Sequence, residues 1–150
     1  MVNLLNNETE ITTIFEFSVG DNYYGINTKY IAEILEYKEN TPVPNTPESI
    51  EGIFILREKV VVNLNMFKCL NVEFTEKIKQ TKNVIIEFRR LNLGLIVTSV
   101  NGIHKVSSKD ISEVEEKYNN EFAVGTIKQN NKVITLLDME KVIHSINDFV

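Results

Sequence analysis

The side chains able to do chemistry are few and widely spaced. His104 and His144 stand forty positions apart, and neither has a His, Cys or carboxylate at metal-ligand spacing. Each is therefore read as a surface or packed histidine. Cys69 follows Lys68, whose charge favours a thiolate, but its neighbours Met66, Phe67 and Leu70 are the setting of a small buried hydrophobe. Carboxylate pairs such as Glu33 and Glu36, or the run Glu113, Glu115 and Glu116, read as solvated faces. No G-x-S-x-G, P-loop or G-x-G-x-x-G occurs, so acyl transfer and nucleotide chemistry lose their usual signatures. Nothing assembles a nucleophile, a base and an oxyanion site. The expectation is a protein that is not an enzyme, with no cofactor and no metal.

One residue invites a recognition role instead. Arg57 sits in the polar triplet Arg57-Glu58-Lys59 between two apolar runs. A turn there would present its five guanidinium donors to a carboxylate or carbonyl; without a partner it is an ordinary exposed turn arginine. Close by, Thr41-Pro42-Val43-Pro44-Asn45-Thr46-Pro47 holds all three prolines of the chain. Each lacks a donor and fixes φ, so the segment is an ordered surface loop and neither helix interior nor central strand. Val43, read as exposed among the prolines, is a hydrophobic contact or simple loop packing.

These residues need a frame to hold them, and most of the chain reads as short strands. Residues 11–19 are rich in β-branched and aromatic types, with Phe15, Phe17 and Val19 alternating. Gly20-Asp21-Asn22 turns them into Tyr23–Ile26, a hairpin. Asn27 or Thr28 is expected to cap a short helix through Tyr37, with Ile31, Ile34 and Leu35 at helical spacing. Ile53–Leu56 and Val60–Val62 form a second hairpin, and residues 65–70 a helical turn. Residues 72–82 are polar and irregular. Asn83–Phe88 and Leu93–Val97 flank a turn, and residues 100–106 make a strand broken at Gly102. An acidic stretch, 111–118, leads to a last hairpin about Gln129-Asn130-Asn131. Asp138 caps an amphipathic helix with Met139, Val142, Ile143 and Ile146 on one side. Many short strands with only connecting or terminal helices point to small barrels.

Composition narrows the class. The 150 residues, 43% apolar and 25% charged, suit a soluble globular domain. The net charge of −5 argues against nucleic-acid binding. No apolar run nears the roughly 20 residues that span a bilayer, the start lacks signal-peptide features, and a single cysteine fits a reducing cytosol. A small-ligand or RNA-binding barrel would need a basic aromatic surface or a deep pocket.

The segment from Thr41-Pro42-Val43-Pro44-Asn45 through Gly52-Ile53-Phe54-Ile55-Leu56-Arg57 resembles the signature of CheW-like chemotaxis coupling domains, in which a TPVPNAP-type loop runs into IxGVxxLRG and VIPVIDL. The first hairpin, Ile31-Ala32-Glu33-Ile34, Gly94–Val100 and the closing hairpin and helix resemble further parts of the family pattern. The match runs from about residue 13 to 143, within one domain over 1–150. Two positions depart from it: Glu58 stands where the family has glycine, and Asn63 where it has aspartate. A glutamate forced to φ > 0 would strain the turn by roughly 1 kcal/mol. Asn63 could keep a turn-capping role while losing an ion pair.

The resemblance implies a mainly β fold, two packed, intertwined five-stranded SH3-like barrels with a short connecting helix and a C-terminal helix. It implies a non-catalytic adaptor joining chemoreceptors to the histidine kinase CheA, cytoplasmic, at membrane receptor arrays, without membrane insertion. It places receptor binding on Arg57, Leu56 and Glu33, and kinase binding on Val43, Pro44 and Asn45. The partners implied are the kinase regulatory domain and the cytoplasmic tip of a chemoreceptor. The closing segments also resemble the coupling half of CheV, which precedes a phospho-receiver domain, so a stand-alone adaptor, part of a longer chain and a diverged scaffold with other partners all stay open.

Overall fold

The computed structural model describes residues 10–74 and 82–147. It contains ten strands in two five-stranded sheets among the described residues. In the first sheet β1 (Ile11–Val19) pairs with β2 (Asn22–Asn27) and, on its other side, with β8 (Ser99–Ser107). β10 (Lys132–Leu137) then runs parallel to β2 and antiparallel to β9 (Ala123–Gln129). The second sheet is built from the intervening chain: β3 (Ile31–Glu36), β6 (Lys82–Phe88), β7 (Leu91–Val97), β5 (Lys59–Asn65) and β4 (Ile50–Leu56), in that spatial order. The first sheet is therefore completed only by strands from the two ends of the chain.

The five-stranded count matches the sequence reading, but the barrels do not close. The outer strands of each sheet are not paired with one another. Chain continuing from one edge strand supplies a single bridge to the other edge instead, Thr41 to Ile53 in one sheet and Ser112 to Thr126 in the other. A short irregular segment satisfies part of each exposed edge where a further strand would otherwise be needed.

The expected helix through Tyr37 is also replaced. The Asn27 side chain accepts the Lys29 N–H and caps only one 3₁₀ turn, Thr28–Tyr30. The chain then extends as β3, pairing Ile31 with Ile86 and Ile34 with Val84. Ile31, Glu33 and Leu35 turn inward and Ala32, Ile34 and Glu36 outward. The free edge of β6 captures the segment, and pairing overrides its helix-like spacing. The only connecting α-helix among the described residues is α1 (Met66–Leu70), capped by Asn65; α2 (Met139–Ile146) is capped by Asp138 and buries Met139, Val142, Ile143 and Ile146 as read from the sequence.

Both sheets and α2 share one apolar core, to which β1 contributes Phe15, Phe17 and Val19 on one face. On the opposite face of β1, Ile14 joins Val106, Ile127, Ile134 and Leu136 within the curl of the first sheet. Glu16 lies there too and is fully buried. His104 Nε2 donates to one of its oxygens at 2.5 Å, while Lys132 Nζ at 2.6 Å and Asn101 Nδ2 at 3.1 Å donate to the other. Burial opposes the charged form, yet these hydrogen bonds prevail and hold the carboxyl below its ordinary value of 4.5.

The two sheets repeat one plan. Gly25 stands between Glu16 of β1 and Leu136 of β10, as Gly94 stands between Ile85 of β6 and Asn63 of β5. A Cβ on Gly25 would meet Ile14 at 2.5 Å, and one on Gly94 would meet Asn63 Oδ1 at 2.4 Å. The buried pair Ile14 and Leu136 thus corresponds to Asn83 and Asn63, whose amides bond each other at 2.6 Å. Asn83 also accepts the Lys38 backbone N–H at 3.0 Å. Asn63 is consequently an interior residue, and the capping role anticipated for it falls to Asn65.

Two outcomes follow from these interiors. Glu16→Ala leaves Lys132 and His104 facing an apolar interior and should cost about 3 kcal/mol in urea melts. Because folding lowers the Glu16 pKa, its stabilisation is present above pH 4.5 and fades as the pH falls below it; the stability gap between the native chain and Glu16→Gln should narrow from pH 7 to pH 3. Asn63→Leu alone strands the Asn83 amide and should cost about 1–3 kcal/mol. Joined with Asn83→Ile, copying the other sheet, it should recover most of that loss by the same melts.

Candidate functional site

The residues singled out in the sequence meet at the β4–β5 turn. Leu56 pairs with Lys59, leaving Arg57 and Glu58 as a two-residue loop. Their φ angles are +48° and +68°, the sign pattern of a tight hairpin turn normally filled by Asn-Gly. Glu58 therefore bears the backbone strain expected of it, about 1 kcal/mol.

Arg57 is not a lone exposed guanidinium. It reaches across to β3 and grips the Glu33 carboxylate with both terminal nitrogens, Nη1 to Oε2 and Nη2 to Oε1, the latter at 3.0 Å. The Arg57 side chain is 69% exposed and that of Glu33 27%. The hydrogen bonds lower the Glu33 pKa and raise that of Arg57, so the pair is fully charged at neutral pH. Glu33 can take part because β3 is a strand: its alternation turns position 33 toward the sheet, while the register sets it opposite Ile85. Sequence reasoning named both residues but missed their pairing, a long-range contact with no local signal. Leu56 is half-buried beside them and packs against Phe54, Val61 and Ile85. Further along the outer side of this hairpin, Ile55 and Val60 oppose each other across the strands, 64% and 52% exposed.

The Pro-rich loop is ordered by local bonds. Thr46 Oγ1 donates to the Val43 carbonyl at 2.8 Å, and Asn45 takes φ +62°, a turn with proline preceding a left-handed residue. Pro44 and Asn45 are exposed, whereas Val43, anticipated as exposed, is half-buried because the turn folds back over it. The reciprocal backbone bonds of Thr41 and Ile53, at 2.8 and 2.9 Å, fasten the start of the loop to the edge of β4. Loop and arginine turn therefore flank the same edge strand.

The remaining reactive candidates lie elsewhere. Burial pushes the Cys69 thiol up to about 12, which removes thiolate reactivity at neutral pH. His104 belongs to the Glu16 cluster and His144 is exposed on α2. Among the described residues no group of three His, Cys, Asp or Glu side chains could hold a metal ion, and no helix is long and apolar enough to cross a membrane.

Comparison with known proteins gives this geometry a relative. The chemotaxis protein CheW of Thermotoga maritima is 24% identical over 135 residues, covering 89% of this chain and 88% of its own. The chemotaxis protein CheV3 of Helicobacter pylori is 27% identical over 127 residues, which are 80% of this chain and 40% of that protein. Among solved structures, the scaffolding protein CheW of Thermoanaerobacter tengcongensis superposes with a TM-score of 0.75 at 26% identity, covering 86% of this chain and 90% of that one. The CheW-like domain family itself matches residues 13–147, a span containing all ten strands but the first two residues of β1, the Pro-rich loop and the Arg57–Glu33 pair; this chain belongs to that family.

Proposed function

We propose that this chain is a non-catalytic chemotaxis adaptor, one CheW-like domain that binds a chemoreceptor tip and the regulatory domain of the histidine kinase. It would work in the cytoplasm at receptor arrays. The observation that carries the reading is the Arg57–Glu33 pair, a charged and geometrically fixed feature exposed at the end of a sheet in a chain of this family. A surface ion pair adds little to stability, so its bidentate order is better suited to recognition. Arg57, Leu56 and Glu33 are assigned to receptor contact. An amphipathic receptor helix would set apolar anchors beside Leu56 and a polar group against the guanidinium. Val43, Pro44 and Asn45 are assigned to kinase contact, on the loop tied to the edge of β4.

A second reading is favoured by the similarity to CheV3, of which the matched region is 40%: the same domain as the coupling part of a CheV-type protein. A receiver-coding region continuous with this one in the genome supports that reading, and a stop codon directly after Val150 dismisses it.

Titration calorimetry against the kinase regulatory domain from the same genome should give saturable one-to-one binding, and a folded chain that stays silent at high micromolar concentration refutes the adaptor reading. Arg57→Ala should lower affinity for a receptor-tip fragment about tenfold while the melting temperature barely moves. Unchanged receptor affinity in that variant removes Arg57 from the contact.

A further inference from the structure

The two sheets place different residue types at equivalent turns. In the first, the positive-φ positions are Gly20 between β1 and β2 (φ +63°) and Asn130-Asn131 between β9 and β10 (+50° and +64°), the residues that enter this region most easily. The matching positions of the second sheet hold Arg89, between β6 and β7, at +57°, and the Arg57-Glu58 turn. A strained backbone that retains a charged side chain points to a use for that side chain. Arg57 has Glu33. Arg89 and its neighbour Arg90, two of the three arginines in the chain, form no ion pair with any described residue. The Arg89 guanidinium lies 4.9 Å over the Phe88 ring.

Both arginines border a notch of about 420 Å³ between this turn and α2. Phe88, Leu91 and Ile143 give it apolar walls, and His144 faces the arginines from the helix. Among the described residues Glu140, one turn before His144, is the only carboxylate lining it. A basic rim over apolar walls is distinctive on a chain of net charge −5. We propose that this notch docks an acidic segment of a partner protein, one apolar side chain entering the cavity while flanking carboxylates meet the two guanidinium forks. Arginine forks match carboxylates bidentately, and the notch has room for an apolar side chain. A polyanion such as nucleic acid or an anionic bilayer fits less well, since it would need a broad basic surface and the chain as a whole carries a net charge of −5. The proposal uses neither Arg57 nor the Pro-rich loop, so it stands or falls apart from the adaptor reading.

The test is a titration of the isotope-labelled chain with the fluorescent peptide Asp-Glu-Leu-Glu-Asp, followed by anisotropy and amide chemical shifts. Saturable, salt-weakened binding is expected, with shifts confined to 88–91 and 140–147. The amide peptide Asn-Gln-Leu-Gln-Asn and the apolar-deficient Asp-Glu-Gly-Glu-Asp should each bind at least tenfold more weakly. The variant Arg89→Gly with Arg90→Asp copies the first sheet's own turn, so it should fold at least as stably and still lose tenfold or more in affinity. Absence of binding at millimolar peptide, equal binding of the control peptides, full affinity in the Arg89→Gly, Arg90→Asp variant, or capture of the chain by phosphatidylserine vesicles but not by the peptide would overturn the assignment.

Discussion

The structure depends on a ladder that must join the two ends of the chain. Three residue pairs run parallel between β2 and β10, Tyr23 with Ile134 through Gly25 with Leu136, across more than a hundred intervening residues that include the whole of the second sheet. Parallel pairs of such separation recover their loop-closure cost only late and only through burial. Glu16 sits where that cost must be met. From β1 it binds His104 and Asn101 of β8 and Lys132 of β10, so one carboxylate fastens the N-terminal hairpin to two of the three C-terminal strands. The arrangement is directional where the apolar packing of Ile14 and Leu136 is not, and it rewards a single register.

The second sheet solves the same geometric problem with different chemistry. Its strands β3 to β7 are consecutive in sequence, so no distant terminus has to be recruited and no buried ionic cluster is present at the corresponding place. Ile85 occupies the position of Glu16 and packs with Phe54 and Val61. The polar element is shifted by one inward-facing position to Asn63 and Asn83. Through the Lys38 N–H it ties the interior of the sheet to the segment that enters the Pro-rich loop. A neutral amide pair suffices there because it holds strands that already neighbour one another in sequence. The family's aspartate at position 63 would place a charge against the Asn83 amide, and the asparagine in this chain removes the need to neutralise it.

Local signals in the sequence located what local forces decide. The bounds of β1, the first hairpin turn, the helical turn at 65–70, the cap at Asp138 and the buried face of α2 all follow from turn chemistry, alternation and capping within a few residues. In β3, Ile31, Ile34 and Leu35 satisfy a helical spacing, and only the edge of β6, some fifty residues away, makes alternation the governing pattern. The Arg57–Glu33 bond, the Asn63–Asn83 bond and the Glu16 cluster were illegible for the same reason. The first and last join elements distant in sequence, the Asn63–Asn83 bond reaches from β5 to β6 across the β7 that lies between them in the sheet, and the residue types involved are common at surfaces. The family resemblance brought Arg57 and Glu33 forward as separate positions without stating that they touch.

The comparison between sheets also explains why the site lies at one end of the molecule. Where only the backbone matters, a left-handed turn position goes to Gly or Asn, as at Gly20, Asn130 and Asn131. Arginine or glutamate there lowers stability through its backbone conformation. The parallel register of β5 with β7, Val62 beside Leu93, carries the starts of both strands to the same end of the second sheet. The Arg57-Glu58 and Arg89-Arg90 turns therefore lie together, opposite in character to the neutral turns of the first sheet. A fold built twice from one plan has spent one copy on closing the chain and left the turns of the other free to carry charge outward, where a partner can meet it.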